Sequence, residues 1–221
     1  MIVDERIITF INSLDTKNSE ILEDIEREAL ADNVPIIRRE MQSFLKVLLM
    51  VKKPMRLLEV GTAVGFSALL MSEYVPEECA ITTIENYEKR IPIARQNFVR
   101  AGKEKKITLL EGDAMDVLKT LEGPYDFIFM DAAKGQYIHY LPEILRLLAK
   151  GGILVSDNVM QDGDVIESRF AVERRDRTIH ARMREYLYEL KHNDALVTSI
   201  IPLGDGVALS VKKEVGTDIA Q

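Results

Sequence analysis

Apolar residues near the start of the chain repeat at helical spacing. In residues 19–32 they fall at positions 21, 22, 25, 29 and 30, after Ser19, a residue type that favours helix starts. Pro35 ends this segment, and residues 38–51 form a second amphipathic segment that ends before the next proline. The pattern predicts that the N-terminal part of the chain, residues 1–55, is helical.

Beyond residue 55, short apolar runs alternate with stretches of helical periodicity. Such alternation is typical of a parallel sheet that is covered by helices on both faces. The apolar runs predict strands at 56–61, 80–85, 106–112, 125–131 and 151–158. The stretches between them predict helices at 66–75, 87–101, 115–121 and 137–149, and the polar residues 161–193 predict a further, mostly helical segment.

The last two apolar runs, 195–203 and 207–213, are separated by the sequence Gly-Asp-Gly. A short glycine turn between two such runs is typical of a β-hairpin, so an otherwise parallel sheet should end in an antiparallel strand. The resulting prediction is an α/β fold with a Rossmann-like, seven-stranded, mostly parallel sheet. It forms a single domain over 1–221, with a helical cap (1–55), the Rossmann-like core (56–213) and a frayed tail (214–221).

Composition narrows the functional classes. The chain has 221 residues and a formal net charge of −7, so a nucleic-acid contact requires a local basic patch. Its single cysteine, Cys79, excludes an internal disulfide and fits a reducing cytoplasm. The N-terminus lacks a signal-peptide pattern, and no apolar run approaches the roughly 18 residues of a membrane span. We therefore expect a cytoplasmic protein with no membrane contact.

Acidic side chains stand at or near the predicted carboxyl end of each of the first five strands. They are Glu59, Glu85, Asp113, Asp131 and Asp157, and Asn158 follows the last of them. Ligands of open parallel sheets bind at this edge. Turn-forming aspartate and asparagine also follow strands for purely structural reasons. Their grouping at one edge nevertheless predicts a site.

The first strand leads into the loop EVGTAVGFSA, residues 59–68. Gly61 and Gly65 allow the backbone to approach a ligand closely, and the following helix points its amide groups at that ligand. The GxxxG spacing does not meet the GxGxxG fingerprint of dinucleotide sites. Because Glu85 is available for ribose hydroxyls, the loop predicts a nucleoside ligand. The alternative is a plain strand–helix turn that uses glycine for packing.

A nucleotide-binding sheet with a late antiparallel strand is similar to the S-adenosylmethionine-dependent methyltransferases. More specifically, EVGTAVGFSA, DAAKGQY (131–137) and SDN (156–158) together resemble the cation-dependent O-methyltransferases, the family of caffeoyl-CoA and catechol methyltransferases. The resemblance covers nearly the whole chain, including VPIIRRE (34–40). It implies S-adenosylmethionine as cofactor, bound by Glu59, Gly61, Thr62, Ser67, Glu85, Asp113, Ala114 and Asp131.

The same resemblance implies a metal ion and a general base. The family's metal ligands match Asp131, Asp157 and Asn158, and three such oxygen ligands suit Mg²⁺, with Mn²⁺ or Ca²⁺ as alternatives. Lys134 matches the lysine that takes the proton of the acceptor hydroxyl, and a nearby divalent cation favours the neutral amine that a base requires. The structural alternatives are strand-end turn residues and a solvated lysine at a helix start.

Two features point to an RNA substrate. The small-molecule enzymes usually read DADK, whereas this chain has Ala133 in place of the second acid. Residues 168–184 are rich in arginine, and DAAKGQY, this stretch and IIPLGDGVALS (200–210) resemble the bacterial tRNA 5-hydroxyuridine methyltransferases. Arginine suits phosphates, although a solvated helix face is the commoner reading of such a stretch. The RNA-binding candidates are Arg38, Arg39, Arg169, Arg174, Arg175 and Arg177, with Phe170, Tyr137 and Tyr140 as candidates for base stacking.

The hypothesis that follows is a Mg²⁺-dependent enzyme that methylates 5-hydroxyuridine at the wobble position of the tRNA anticodon loop, acting as a homodimer like many members of the family. A first alternative keeps the chemistry and changes the acceptor to a small catechol-like or hydroxycinnamoyl compound. A second is an NAD-dependent oxidoreductase, which the GxxxG loop and the antiparallel last strand disfavour. A third is a binding module that uses the fold only to hold RNA or a protein partner.

Overall fold

The computed structural model describes residues 3–214. Its centre is a seven-stranded sheet with the strand order β3-β2-β1-β4-β5-β7-β6. All strand pairs are parallel except those that β7 makes with β5 and β6. The strands are β1 (Arg56–Val60), β2 (Ala80–Glu85), β3 (Ile107–Glu111), β4 (Tyr125–Met130), β5 (Leu148–Ser156), β6 (Leu196–Ile201) and β7 (Val207–Lys212).

Helices cover both faces of this sheet. They are α1 (Glu5–Ser13), α2 (Glu20–Ala31), α3 (Arg39–Lys52), α4 (Phe66–Glu73), α5 (Ile91–Arg100), α6 (Ala114–Thr120), α7 (Tyr137–Leu147) and α8 (Arg177–His192). Short 3₁₀ turns occupy Lys134–Gln136 and Gln161–Ile166. None of the helices within residues 3–214 is long and apolar enough to cross a membrane.

The continuous apolar runs of the central strands follow from burial on two sides. Successive strand side chains point to opposite faces. Accordingly, Leu57 and Phe127 pack into a core with α2 to α5, whereas Leu58 and Ile128 pack into a second core with α6 to α8. An alternating apolar and polar pattern would have left one of the two helical layers without a partner.

The fold predicted from the sequence is confirmed: a mostly parallel Rossmann-like sheet with an antiparallel last strand and helices on both faces. In sequence β7 comes last, but in space it lies between β5 and β6, so it is not the edge strand. The predicted tail lies outside the described residues from position 215 onward.

One segment differs from its prediction. Residues 161–193 were expected to be mostly helical, but no helix spans 167–176, and α8 begins only at Arg177. Between 167 and 176 the apolar residues cluster at 170–172 instead of recurring every three or four positions, so a helix there would have no continuous apolar face to bury. The arginine-rich stretch is therefore part irregular chain and part helix.

The strand order also positions the site. Along the sheet, the chain direction of the crossovers reverses between β1 and β4, which are neighbours in space. Loops leaving the carboxyl ends of two such strands diverge to opposite faces and open a crevice between them. The fold therefore brings the loop after β1 next to the loop after β4.

Candidate active site

A cavity of about 470 Å³ opens at this crevice. The loops after β1, β2, β4 and β5 line it, and residues 35–38 of the N-terminal segment close one side. The residues predicted as site residues that line the cavity are Arg38, Gly61, Thr62, Ser67, Glu85, Ala114, Asp131, Lys134, Asp157 and Asn158. Two of the predicted cofactor residues, Glu59 and Asp113, do not line it.

The glycine-rich loop is shaped by its contact with the end of β4. Gly61 has a φ of 104°, a conformation that residues with side chains rarely adopt. A Cβ at this position would overlap the carbonyl oxygen of Asp131. The Gly61 amide donates to the carbonyl of Ile84 at 3.1 Å, so the loop leaves β1 across the end of β2. Only glycine lets the loops after β1 and β4 come this close.

Glu59 lies behind the loop and holds it from below. Its fully buried carboxylate accepts hydrogen bonds from the hydroxyls of Ser67, at 2.5 Å, and Thr83. Since the Thr83 hydrogen points to Glu59, the hydroxyl of Thr62 donates to Thr83 Oγ1, at 2.5 Å. Burial, with smaller contributions from the nearby charges of Asp131 and Glu85, raises the pKa of Glu59 to about 7. Glu59 thus acts on the cavity through Ser67 and Thr62.

Glu85 and Asp113 are both anchored to the backbone. Glu85 Oε2 accepts from the amide of Ala63 at 2.7 Å, and its Oε1 accepts from the amides of residues 86 and 87, at 2.9 and 2.8 Å. Each oxygen keeps lone-pair capacity for a ligand hydroxyl. The Asp113 carboxylate accepts from the amide of Met115 at 2.9 Å and caps α6. Glu85 therefore faces the cavity, whereas Asp113 shapes its wall by fixing the helix that follows.

Two carboxylates and an amide meet where β4 and β5 end. The pairing of Met130 with Ser156 places Asp131 and Asp157 side by side, and the Asp157 amide donates to the carbonyl of Met130 at 2.9 Å. Asn158 follows with a φ of 56°, a left-handed conformation that asparagine tolerates better than most residues. The predicted metal ligands are thus neighbours at one wall of the cavity.

Several polar atoms of this group lack hydrogen-bond partners. In residues 3–214, Oδ2 of Asp131, Oδ2 of Asp157 and the Asn158 side chain accept or donate no hydrogen bond. Burial, reinforced by the charge of Asp131, raises the pKa of Asp157 to about 7. Within the same residues, no cluster of three or more His, Cys, Asp and Glu side chains forms a metal site. The donor set here is two carboxylates and one amide, hard oxygen ligands that suit a cation such as Mg²⁺.

Lys134 stands at the entrance to this group. The 3₁₀ turn that follows β4 brings its ammonium to 3.1 Å from Oδ1 of Asp131. About a quarter of each side chain is exposed, so the ion pair is partly accessible to solvent. From the sequence these two residues were expected as metal ligand and general base, and the structure puts them in direct contact.

Comparison with known proteins identifies the family of the chain. The protein-family model described as O-methyltransferase matches residues 12–213. The chain belongs to the O-methyltransferase family. This confirms the resemblance to the caffeoyl-CoA and catechol enzymes that the three motifs predicted.

The relatives of this O-methyltransferase carry the names of both substrate types. It is 33% identical to caffeoyl-CoA O-methyltransferase 2 of Populus trichocarpa over 183 residues, 75% of this chain and 70% of the relative. It is 35% identical to a catechol O-methyltransferase of Niastella koreensis over 128 residues, 56% of this chain and only 58% of that protein. The SAH-bound Podospora anserina methyltransferase PaMTH1 superposes with a TM-score of 0.86 at 27% identity, covering 95% of both chains.

A second cavity, about 580 Å³ and wide open, adjoins the first. The two cavities share Ala133, Lys134, Asn158 and Asp205 in their linings. Asp205 is buried in the turn between β6 and β7, and its carboxylate accepts a hydrogen bond from the amide of Asp162. Burial raises the pKa of Asp205. In the sequence, this Gly-Asp-Gly predicts only a hairpin turn, and no pattern in the chain itself links it to the ends of β4 and β5.

The arginine candidates separate into distinct environments. Arg38 is exposed and lines the first cavity, whereas Arg39 forms an ion pair with Glu26 at 3.0 Å. Arg169, Arg174 and Arg175 are exposed on the irregular segment, and Arg177 donates to the carbonyl of Val172 at 3.2 Å. Another arginine of the same stretch, Arg182, lines the second cavity and donates to the carbonyl of Gly135 at 3.1 Å.

The aromatic candidates for base stacking also separate. Phe170 is 87% exposed on the irregular segment, and Tyr140 lines the first cavity. Tyr137 is completely buried, so the prediction that it stacks on a base is wrong. Its ring packs edge-on against Tyr186 in the core beneath the site, with the ring centroids 5.5 Å apart.

Proposed function

We propose that this O-methyltransferase moves the methyl group of S-adenosylmethionine, with the help of Mg²⁺, onto the 5-hydroxyl of 5-hydroxyuridine in the tRNA anticodon loop. The observation that carries the chemistry is the group of Asp131, Asp157 and Asn158 beside Lys134, at the wall of a cofactor-sized cavity. The assignment of the acceptor rests on the arginine-rich segment and on Ala133.

The first cavity has the features that S-adenosylmethionine requires. Glycine at position 61 lets the backbone approach the ligand, and Glu85 faces the cavity with lone pairs that suit ribose hydroxyls. Ser67 and Thr62 line the same wall and are held by the buried Glu59 network. The SAH-bound relative with the same fold supports this assignment.

The oxygen group at the ends of β4 and β5 fits a divalent cation. Three oxygens without hydrogen-bond partners among residues 3–214, on side chains that share one wall, provide hard ligands for Mg²⁺. The raised pKa of Asp157 reflects burial and like-charge repulsion, and a cation held there would relieve the repulsion. When bound, such a cation supplies Lewis acidity that lowers the pKa of a chelated hydroxyl.

The chain's own groups then align and deprotonate the acceptor. In 5-hydroxyuridine the 5-hydroxyl and the 4-carbonyl are vicinal oxygens, as in a catechol. The amine of Lys134 takes the proton of the 5-hydroxyl. The acceptor oxygen forms a bond to the methyl carbon while the carbon–sulfur bond breaks, and S-adenosylhomocysteine leaves. Proximity of the acceptor hydroxyl to the methyl donor supplies much of the rate enhancement.

The acceptor is tested by offering both substrate types. The protein is incubated with labelled S-adenosylmethionine and either tRNA from cells lacking this gene or a simple catechol, and the product nucleosides are separated. We expect label in 5-methoxyuridine. Label on the catechol alone would retain the metal and base assignments and remove the RNA assignment. The names of the catechol and caffeoyl-CoA relatives favour that second candidate.

The exposed arginines give a prediction that separates the acceptors. Replacing Arg174 and Arg175 together by glutamate removes two cationic contacts with phosphates, and we expect tRNA methylation to fall at least tenfold or so. Turnover of a small catechol should not change. The same double charge reversal at Arg95 and Arg100 serves as the control. Both residues lie on α5, on the side of the sheet where β3 is the edge strand. Equal losses on both acceptors would contradict an RNA-binding role.

We also propose that the protein forms a homodimer through its N-terminal helices. None of the α1 side chains is buried, and its apolar residues Ile7, Phe10 and Ile11 are exposed, as is the C-cap residue Leu14. α1 lies against α3, which exposes a second apolar stripe at Val47, Met50 and Val51. Exposed apolar surface of this kind, on two helices in contact, is typical of interfaces between subunits.

Charge placed in this apolar surface should separate the subunits. We expect the wild-type protein to sediment as a dimer at micromolar concentration and Phe10→Glu to sediment as a monomer. Val99→Glu is the matched control, because Val99 and Phe10 are both 64% exposed but Val99 lies on α5. A wild-type monomer, or a dimer that survives Phe10→Glu, would contradict this interface.

A further inference from the structure

Tyr137 is the first residue of α7, and its hydroxyl lies directly beneath the proposed metal site. The oxygen is 3.2 Å from the amide nitrogen of Ala132, 3.1 Å from the carbonyl oxygen of Met130 and 3.3 Å from the carbonyl oxygen of Asp157. The hydroxyl therefore contacts the backbone on both sides of Asp131 and the backbone of Asp157 itself.

The hydrogen-bond inventory of a phenol explains how three contacts are made. A tyrosine hydroxyl has one hydrogen to donate and lone pairs with which to accept. The Ala132 amide donates to the Tyr137 oxygen, and the single hydroxyl hydrogen is shared between the carbonyls of Met130 and Asp157. One side-chain atom thus joins the ends of β4 and β5.

This bridge begins where the strand pairing stops. The last direct backbone bond between the two strand ends runs from the Asp157 amide to the Met130 carbonyl, at 2.9 Å. Beyond it, the chains diverge into the loops that carry Lys134 and Asn158. The Tyr137 hydroxyl stands in the position of a further rung, and the edge-on contact with Tyr186 fixes its ring.

We propose that Tyr137 is a positioning residue that sets the separation of Asp131 and Asp157, and through it the affinity for the divalent cation. The inference rests on the proposed function, because it concerns the same oxygen group. In DAAKGQY, the metal ligand, the base and this tyrosine then follow one another at intervals of three residues. If Tyr137 served only for packing, phenylalanine would serve equally well at this position.

The test compares Tyr137→Phe with Tyr186→Phe. Both tyrosines are completely buried and lie in the same core, and the hydroxyl of Tyr186 contacts Ser156 Oγ at 2.6 Å, not the backbone of a ligand. Binding of Mn²⁺ is measured by electron paramagnetic resonance of the free ion, in the presence of S-adenosylhomocysteine. We expect Tyr137→Phe to bind Mn²⁺ about 10- to 100-fold more weakly, and Tyr186→Phe to bind it like the wild type.

Two further readouts distinguish positioning from general damage. Affinity for S-adenosylhomocysteine should be unchanged in both variants. Methyl transfer by Tyr137→Phe should recover at high Mg²⁺, so that the change appears in the metal concentration required and not in the maximal rate. In the metal-free wild type, the Ala132 amide should exchange its hydrogen more slowly than that of Ala133, which has no hydrogen-bond partner among residues 3–214.

The outcomes separate this inference from the proposed function. If the wild type binds Mn²⁺ and Tyr137→Phe binds it equally well, or if Tyr186→Phe loses as much affinity, Tyr137 is an ordinary core residue. If the Ala132 amide exchanges as fast as that of Ala133, the bridge is not formed. A wild type that binds no Mn²⁺ would refute the metal site itself, and the role of Tyr137 with it.

Discussion

Replacing Asp157 with asparagine should nearly abolish methyl transfer and at the same time stabilise the metal-free protein at pH 8. The variant keeps the shape of the side chain and removes the charge that a cation requires. A bound cation contributes several kcal/mol of charge stabilisation in such reactions, so we expect kcat to fall by a factor of about 10² to 10³. The stability change has the opposite sign because the metal-free site holds two carboxylates close together.

The sign of the stability effect follows from the raised pKa of Asp157, which burial and Asp131 move from 3.8 to about 7. Between these two pH values the folded protein retains a proton that the unfolded chain has lost. The contribution of Asp157 to the free energy of unfolding is therefore greatest below pH 3.8 and is lost as the pH rises to about 7. Asparagine carries no such penalty, so at pH 8 the free energy of unfolding should rise, by on the order of a few kcal/mol.

Thermal unfolding with and without Mg²⁺ checks both halves of this prediction. Between pH 4 and 8 the metal-free wild type should lose stability relative to Asp157→Asn, and Mg²⁺ should stabilise the wild type alone. Asp116→Asn, at an exposed aspartate of α6, serves as the control and should change neither quantity. An Asp157→Asn enzyme that retains chelator-sensitive turnover would remove Asp157 from the metal site. If Asp157→Asn kept its biological function, the result would favour the alternative of a binding module that only holds RNA or a protein partner.

Replacing Lys134 with methionine should lower kcat by a factor of about 10² to 10⁴, the usual contribution of a positioned general base. Methionine keeps most of the apolar stem and removes the amine. Affinity for S-adenosylhomocysteine should stay unchanged, because the loss concerns proton transfer from the acceptor and not cofactor binding. Single-turnover measurements at saturating Mg²⁺ and acceptor separate the chemical step from binding.

A matched lysine provides the control for this variant. Lys119 and Asp116 form an ion pair with the same three-residue spacing as Lys134 and Asp131, but on the exposed face of α6. Lys119→Met should leave kcat unchanged. If Lys134→Met loses less than about threefold in the single-turnover rate, Lys134 is an ion-pair partner of Asp131 and the base lies elsewhere.

The sequence was informative where local pattern and topology agree. Central strands of a doubly covered sheet are continuously apolar, so the run before Asp131 predicted a buried strand, and the β/α alternation predicted its neighbours. The carboxyl ends of parallel strands share one edge of such a sheet, so the sequence alone predicted that Asp131 and Asp157 lie close together. The sequence placed Lys134 three residues after Asp131 but did not predict their direct contact, which the structure shows at 3.1 Å.

Features that depend on contacts between distant segments could not be predicted in this way. Asp205 reaches the site only because β7 pairs with β5, which places the preceding turn beside Asn158. Tyr137 lies three residues after Lys134, and nothing in the local pattern shows that its ring turns inward. The prediction of a mostly helical segment at 161–193 did not locate the irregular chain at 167–176, because charge-rich segments carry little periodic information.

The most direct test of Mg²⁺-dependent methyl transfer to tRNA is an assay on one preparation before chelation, after chelation and after Mg²⁺ is restored. Labelled S-adenosylmethionine is the donor, and tRNA lacking this modification and a catechol are offered as separate acceptors. We expect transfer that stops with the chelator and returns with Mg²⁺, with the label in 5-methoxyuridine. Transfer that persists in the chelator, or no transfer to either acceptor under any of the three conditions, would contradict this expectation.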